Sequence, residues 1–177
     1  MRKEDIFDVV SSWENIDFIV SEITNQPELY SELIEIALYN TEPKSWRAAY
    51  LIDKINDTFP DFILPYLEKI TTQLKAEKNS SKKRHLLKLL SVNEINEKHL
   101  TFLVEYCIGI MGNGNEPPAV RVHAMQILYN ISEYEPELKP EVLACIEHEI
   151  EYHATAGILS RGYKLTQKLQ KQIGKSR

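Results

Sequence analysis

Residues 118–131 read PAVRVHAMQILYNI, a proline, an arginine three places on, and then Ala124, Ile127, Leu128 and Ile131. Proline fits the first turn of a helix, where its missing N–H would have no partner anyway. The apolar positions that follow are spaced to form one stripe along a helix. Arg121 has counterparts in Arg84 (KKRHLLKLLSV) and Arg47 (SWRAAYLIDKI), each separated from the next by 37 residues. A fixed period of this size marks a stacked array of helical repeats.

Working outward, proline also opens a second set of helices, at Pro27-Glu28-Leu29, Pro60-Asp61-Phe62 and Pro136-Glu137-Leu138. The position between the last two is filled by Asn96, a good N-cap residue, ahead of LTFLVEYCIGI. Two helix types therefore alternate. The A helices are expected at 27–39, 60–75, 96–111 and 136–152, and the B helices at 43–57, 81–92, 117–133 and 155–172. A helical stretch over 3–24 supplies a cap or partial first repeat. Breakers such as Asn113-Gly114-Asn115 and Pro117-Pro118 separate the elements, and no segment shows strand alternation. The chain reads as a single domain over 1–177, with a cap at 1–25, helix pairs at 26–57, 58–92, 95–133 and 135–172, and a loose tail at 173–177.

The paired-helix unit with Pro118, Val120, Arg121 and Ala124 in its second helix resembles the HEAT family. Pro43 and Arg47 repeat part of the motif; the 82–90 unit keeps only the arginine, and the last unit slips to Arg161. The resemblance implies an all-α fold, a right-handed α-α superhelix of about four helix pairs plus an N-terminal helical cap. It also implies that the B helices line the concave face and that the arginines act mostly as ladder residues between neighbouring repeats.

Composition sets the remaining bounds. A chain of 177 residues with 43% hydrophobic and 27% charged residues is large enough for its own core. Cys107 and Cys145 fall in apolar helical segments, where a thiol behaves as a small hydrophobe. With no signal-peptide pattern in MRKEDIFDVV and no apolar run of spanning length, the expected setting is cytoplasmic, with no membrane association.

Charge is sorted by helix type. Acidic residues outnumber basic ones by about three to one in the A helices, whereas the B helices hold twelve basic and three acidic residues. The twelve are Lys44, Arg47, Lys54, Lys82, Lys83, Arg84, Lys88, Arg121, Arg161, Lys164, Lys168 and Lys171, with Lys175 and Arg177 extending the last group. Lys164, Lys168 and Lys171 follow i, i+4, i+7 and share one helix face. These residues form the candidate partner-binding groove, and a basic surface of this kind draws anionic partners. The bland alternative is a solvated face whose pairs with acidic helices are individually weak.

Catalytic and metal-binding patterns are wanting. In His148-Glu149-Ile150-Glu151-Tyr152-His153 the histidines are five apart, which on a regular helix points the second ring about 140° away from the first; they read as surface histidines. His85 and His123 have no identifiable carboxylate partner, and no serine or cysteine is set against a base. Gly112-Asn113-Gly114 lacks the strand and Gly-Lys-Ser/Thr of a phosphate loop. Trp13 and Trp46 suit interhelix packing, and the nine tyrosines should be mostly half-buried.

The function expected is therefore a non-enzymatic interaction module, without cofactor, docking an acidic or helical segment of a protein partner; the oligomeric state stays open. The alternative is nucleic-acid binding, with a HEAT-like DNA glycosylase as its enzymatic extreme and Asp53, a B-helix carboxylate near Trp46 with no matching motif around it, as the residue to consider. A sequence pI near 5.6 is a poor start for that partner. A HEAT-like lyase acting on a bound cofactor has no residue in its favour.

Overall fold

The structure is a computed structural model that describes residues 5–175. Among the described residues there are ten α-helices, short 3-10 turns and no strand. Residues 1–4 of the expected cap, and Ser176 and Arg177 of the expected tail, lie outside the described residues. The chain forms two compact units that divide between Leu89 and Leu90.

The first unit contains α1 (Ile6–Ser12), α2 (Ile16–Thr24), α3 (Pro27–Tyr39), α4 (Trp46–Asn56), α5 (Leu67–Leu74) and most of α6 (Ser80–Val92). The expected single stretch over 3–24 is in fact α1 and α2, broken where Trp13 and Asn15 both take left-handed backbone conformations. Pro27 opens α3 as its first residue. The core is built from Leu33 and Ile34 of α3, Leu51, Ile52 and Ile55 of α4, Ile70 and Leu74 of α5 and Leu86 of α6, all at most 1% exposed. Burying each such side chain contributes about 1.5–3 kcal/mol.

The second unit contains α7 (Leu100–Met111), α8 (Pro118–Tyr134), α9 (Lys139–Tyr152) and α10 (Ala156–Lys175). The segment that announced the repeat, α8, is its centre and packs against α7, α9 and α10. Its apolar residues Val120, Ala124, Met125, Ile127, Leu128 and Ile131 are all buried. Helices α9 and α10 approach closely at Gly162, where a Cβ would stand 2.8 Å from Ile150.

Three A helices start later than the prolines suggested. Residues Pro60–Phe62, Leu64–Tyr66, Glu97–His99 and Pro136–Leu138 form 3-10 turns ahead of α5, α7 and α9. The reason is a second proline in two of them. Proline is tolerated only in the first turn of an α-helix, so α5 begins after Pro65, and α9 begins with Pro140 as its second residue. Before α7, the Asn96 side chain accepts from the Lys98 N–H and closes the turn. At the other end α10 runs to Lys175, so residues 173–175 of the expected loose tail are helical.

Candidate functional site

The first turns of α4, α6 and α8 each set one cation on a carbonyl at the C-terminal end of another helix, α1, α3 and α7 respectively. Those carbonyls carry the negative end of the helix dipole and attract cations. In α8, Arg121 sits fourth; its Nε donates to the Met111 carbonyl at 2.7 Å, and its Nη2 pairs with Glu149 of α9. Both side chains are buried, and burial pulls the Arg121 pKa down. In α4, Arg47 sits second and donates to the Ser11 carbonyl of α1. Its guanidinium lies 4.9 Å from the Trp13 ring centroid, a cation-π contact, while Trp13 and Trp46 pack with centroids 5.5 Å apart.

In α6 the structural role falls to Lys82 rather than to Arg84. Lys82 Nζ donates to the carbonyl of Asn40, the C-cap of α3, at 2.6 Å and lies 3.9 Å from Glu77. Its side chain is 5% exposed, and desolvation lowers its pKa against the pull of Glu77. Arg84, the residue that keeps the repeat period, is exposed.

The remaining candidate cations divide the same way. Lys54 pairs with Asp17 at 2.5 Å. Lys88 pairs with Asp53 at 2.7 Å and with Asp57 at 3.3 Å. Arg161 donates to Gln126 Oε1 at 2.5 Å, and Lys83 is half-buried. Lys44 is exposed ahead of α4, and Lys164, Lys168 and Lys171 are exposed along α10, beside the buried face of Ile158, Gly162, Leu165 and Leu169. Lys168 Nζ also lies 5.3 Å from the Tyr129 ring centroid. The twelve thus do not form one continuous set of open charges, and Lys82 and Arg121 sit inside the fold.

Two further residues differ from expectation. His85 does have a carboxylate partner: its Nδ1 lies 2.9 Å from Asp53 Oδ2, with the Tyr50 ring edge-on at 5.6 Å. Burial alone would raise the Asp53 pKa, but the hydrogen bonds and charges of His85 and Lys88 outweigh it and hold the carboxyl below its usual range. The one carboxylate weighed for glycosylase chemistry is therefore buried in an ion pair.

His148 and His153 also come together. α9 ends at Tyr152, and His153 leaves the helix with φ −132° and ψ 34°, so the angle expected on a regular helix does not apply. The two ring centroids are 6.0 Å apart with Glu149 between them. Among the tyrosines, Tyr39, Tyr134, Tyr152 and Tyr163 are exposed rather than half-buried. The first three are the last residues of α3, α8 and α9, where packing runs out.

The family model described as a HEAT repeat domain matches residues 6–168. No curated protein and no solved structure matches the chain.

Proposed function

The chain belongs to the HEAT-repeat family, a protein-interaction scaffold kind of fold, and from that premise we propose a docking module whose exposed α10 lysines seat an acidic segment of a partner protein. The observation that carries this reading is the state of the cations. Most of the basic residues in the first three B helices are engaged by carbonyls or carboxylates of the chain itself. Lys164, Lys168 and Lys171 instead stand exposed in a row on one face of a helix whose other face is anchored by apolar packing. A row on a rigid helix presents charge at fixed spacing, which favours an extended or helical acidic segment and raises its encounter rate.

HEAT-repeat proteins are generally non-enzymatic, and the scaffold reading needs no catalytic group. Among the described residues no helix is long and apolar enough to cross a membrane. The glycosylase reading is disfavoured, since its carboxylate, Asp53, is buried in pairs with His85 and Lys88.

The test is capture from native lysate with the tagged chain, with and without nuclease, comparing wild type with the triple variant Lys164→Glu, Lys168→Glu, Lys171→Glu. A protein retained by wild type after nuclease and lost by the variant supports the docking row. Equal retention by both chains removes the row from the interface. Material lost on nuclease treatment alone transfers the surface to nucleic acid, and its binding should then weaken steeply with salt.

A further inference from the structure

We propose that His148, Glu149 and His153 form a binding site for a divalent transition-metal ion of the zinc type, at the turn between α9 and α10. Each residue offers one ligand atom, and all three atoms lie within 4.8 Å of one another. The separations match the chemistry. Zinc bound at 2.0–2.1 Å in a tetrahedral site sets its ligand atoms about 3.4 Å apart. Glu149 Oε1 is 3.5 Å from His148 Nδ1 and 3.3 Å from His153 Nδ1, so two edges of that tetrahedron are already in place. Only the edge between the two imidazoles has to shorten. His148 is 59% exposed and His153 36% exposed, so both rings have room to turn.

Hydrogen bonding alone explains the arrangement less well. An N–H···O bond is about 2.7–3.2 Å long; His153 Nδ1, 3.2 Å from Oε2, sits at that limit, and His148 Nδ1, 3.5 Å from Oε1, lies beyond it. With the proton on Nε2, each Nδ1 is available as a ligand close to the carboxylate. Imidazole and carboxylate together suit zinc, nickel or copper rather than calcium or magnesium.

Arg121 supplies the support that such a site needs. It holds Glu149 Oε2 from the buried side, which orients the carboxylate; His148 Nδ1 faces Oε1, and His153 Nδ1 stands 3.3 Å from Oε1 and 3.2 Å from Oε2. Partners of this kind orient metal-bound carboxylates. The guanidinium also shares the carboxylate's charge, so the site binds more weakly than a four-ligand structural zinc cluster. The fourth position is open to water.

Binding would join the residue just beyond α9 to the body of that helix, acting as a clip on the turn. The probe is Zn2+ titrated calorimetrically into the untagged full chain after chelator treatment, with Co2+ absorption to report coordination geometry. One ion per chain is expected, with a Tm rise of about 5 °C at a hundredfold excess over Kd. His148→Ala and His153→Ala, both on accessible side chains, should each weaken binding about tenfold or more, while His99→Ala leaves it unchanged. No saturable binding below about 100 µM overturns the proposal, as does full-strength binding in the His148→Ala, His153→Ala double variant. Loss of binding in His99→Ala would place the ion elsewhere and overturn it equally.

Discussion

The start of α6 and the outer face of α10 carry the same residue type to opposite ends. Lys82 is sealed against the C-cap carbonyl of α3, whereas Lys164, Lys168 and Lys171 stand in solvent. A basic B helix is thus two things at once in this fold: a source of cations that cap the C-terminal end of another helix, and a carrier of cations for something else. Position within the helix decides which. The capping residues are second in α4, third in α6 and fourth in α8, all in the first turn, and a cation further along has passed the carbonyls it would reach.

Three single substitutions, one pH profile and one triple reversal test that division, and the first should have the largest effect. Arg121→Ala leaves Glu149 buried without its partner and is expected to cost about 3–5 kcal/mol in urea unfolding. Next, Lys82→Glu sets a carboxylate against the Asn40 carbonyl and near Glu77, for a loss of about 3 kcal/mol; a cost similar to that of Lys164→Glu would erase the contrast. Arg47→Lys keeps the charge but loses the planar stacking on Trp13, and about 1 kcal/mol with it.

The pH dependence sharpens the picture for α6. Asp53 has a depressed pKa in the folded state, so the unfolded chain binds its proton first. The stabilisation is complete above the ordinary carboxylate pKa of about 3.9 and is lost as the pH falls through the lower folded value. Wild type should lose stability in that acid window more steeply than Asp53→Asn, as read from urea midpoints against pH; parallel profiles would remove Asp53 from the balance. The smallest effect belongs to the triple reversal of Lys164, Lys168 and Lys171, expected to change stability by no more than about 0.5 kcal/mol.

Helix type and order were legible because they rest on local rules: apolar spacing over three or four residues, and proline at helix starts. Family membership followed from Pro118, Val120, Arg121 and Ala124. The capping cation of α6 was not legible from the arginine period, because local register takes over there. Asn79 accepts from the Ser81 and Lys82 N–H groups and starts the helix at Ser80, which puts Lys82 in the first turn and Arg84 beyond it. A search for an Asn cap with a cation three residues on would have found it. The His85–Asp53 pair joins residues 32 apart and carries no local signal. His153 was misplaced because regular helix geometry was carried one residue past 152, the expected and observed end of the helix.

The contrast between the two thiols gives the second unit a built-in clock. Cys107 is wholly enclosed in α7 and its ionisation is pushed far up by burial, whereas Cys145 is half-buried and its own ionisation is raised first by burial and then by Glu141. A thiol reagent therefore meets Cys145 first, and its reaction with Cys107 waits for α7 to come away from its neighbours. The ratio of the two rates measures how often that helix opens in the native protein, without any introduced label.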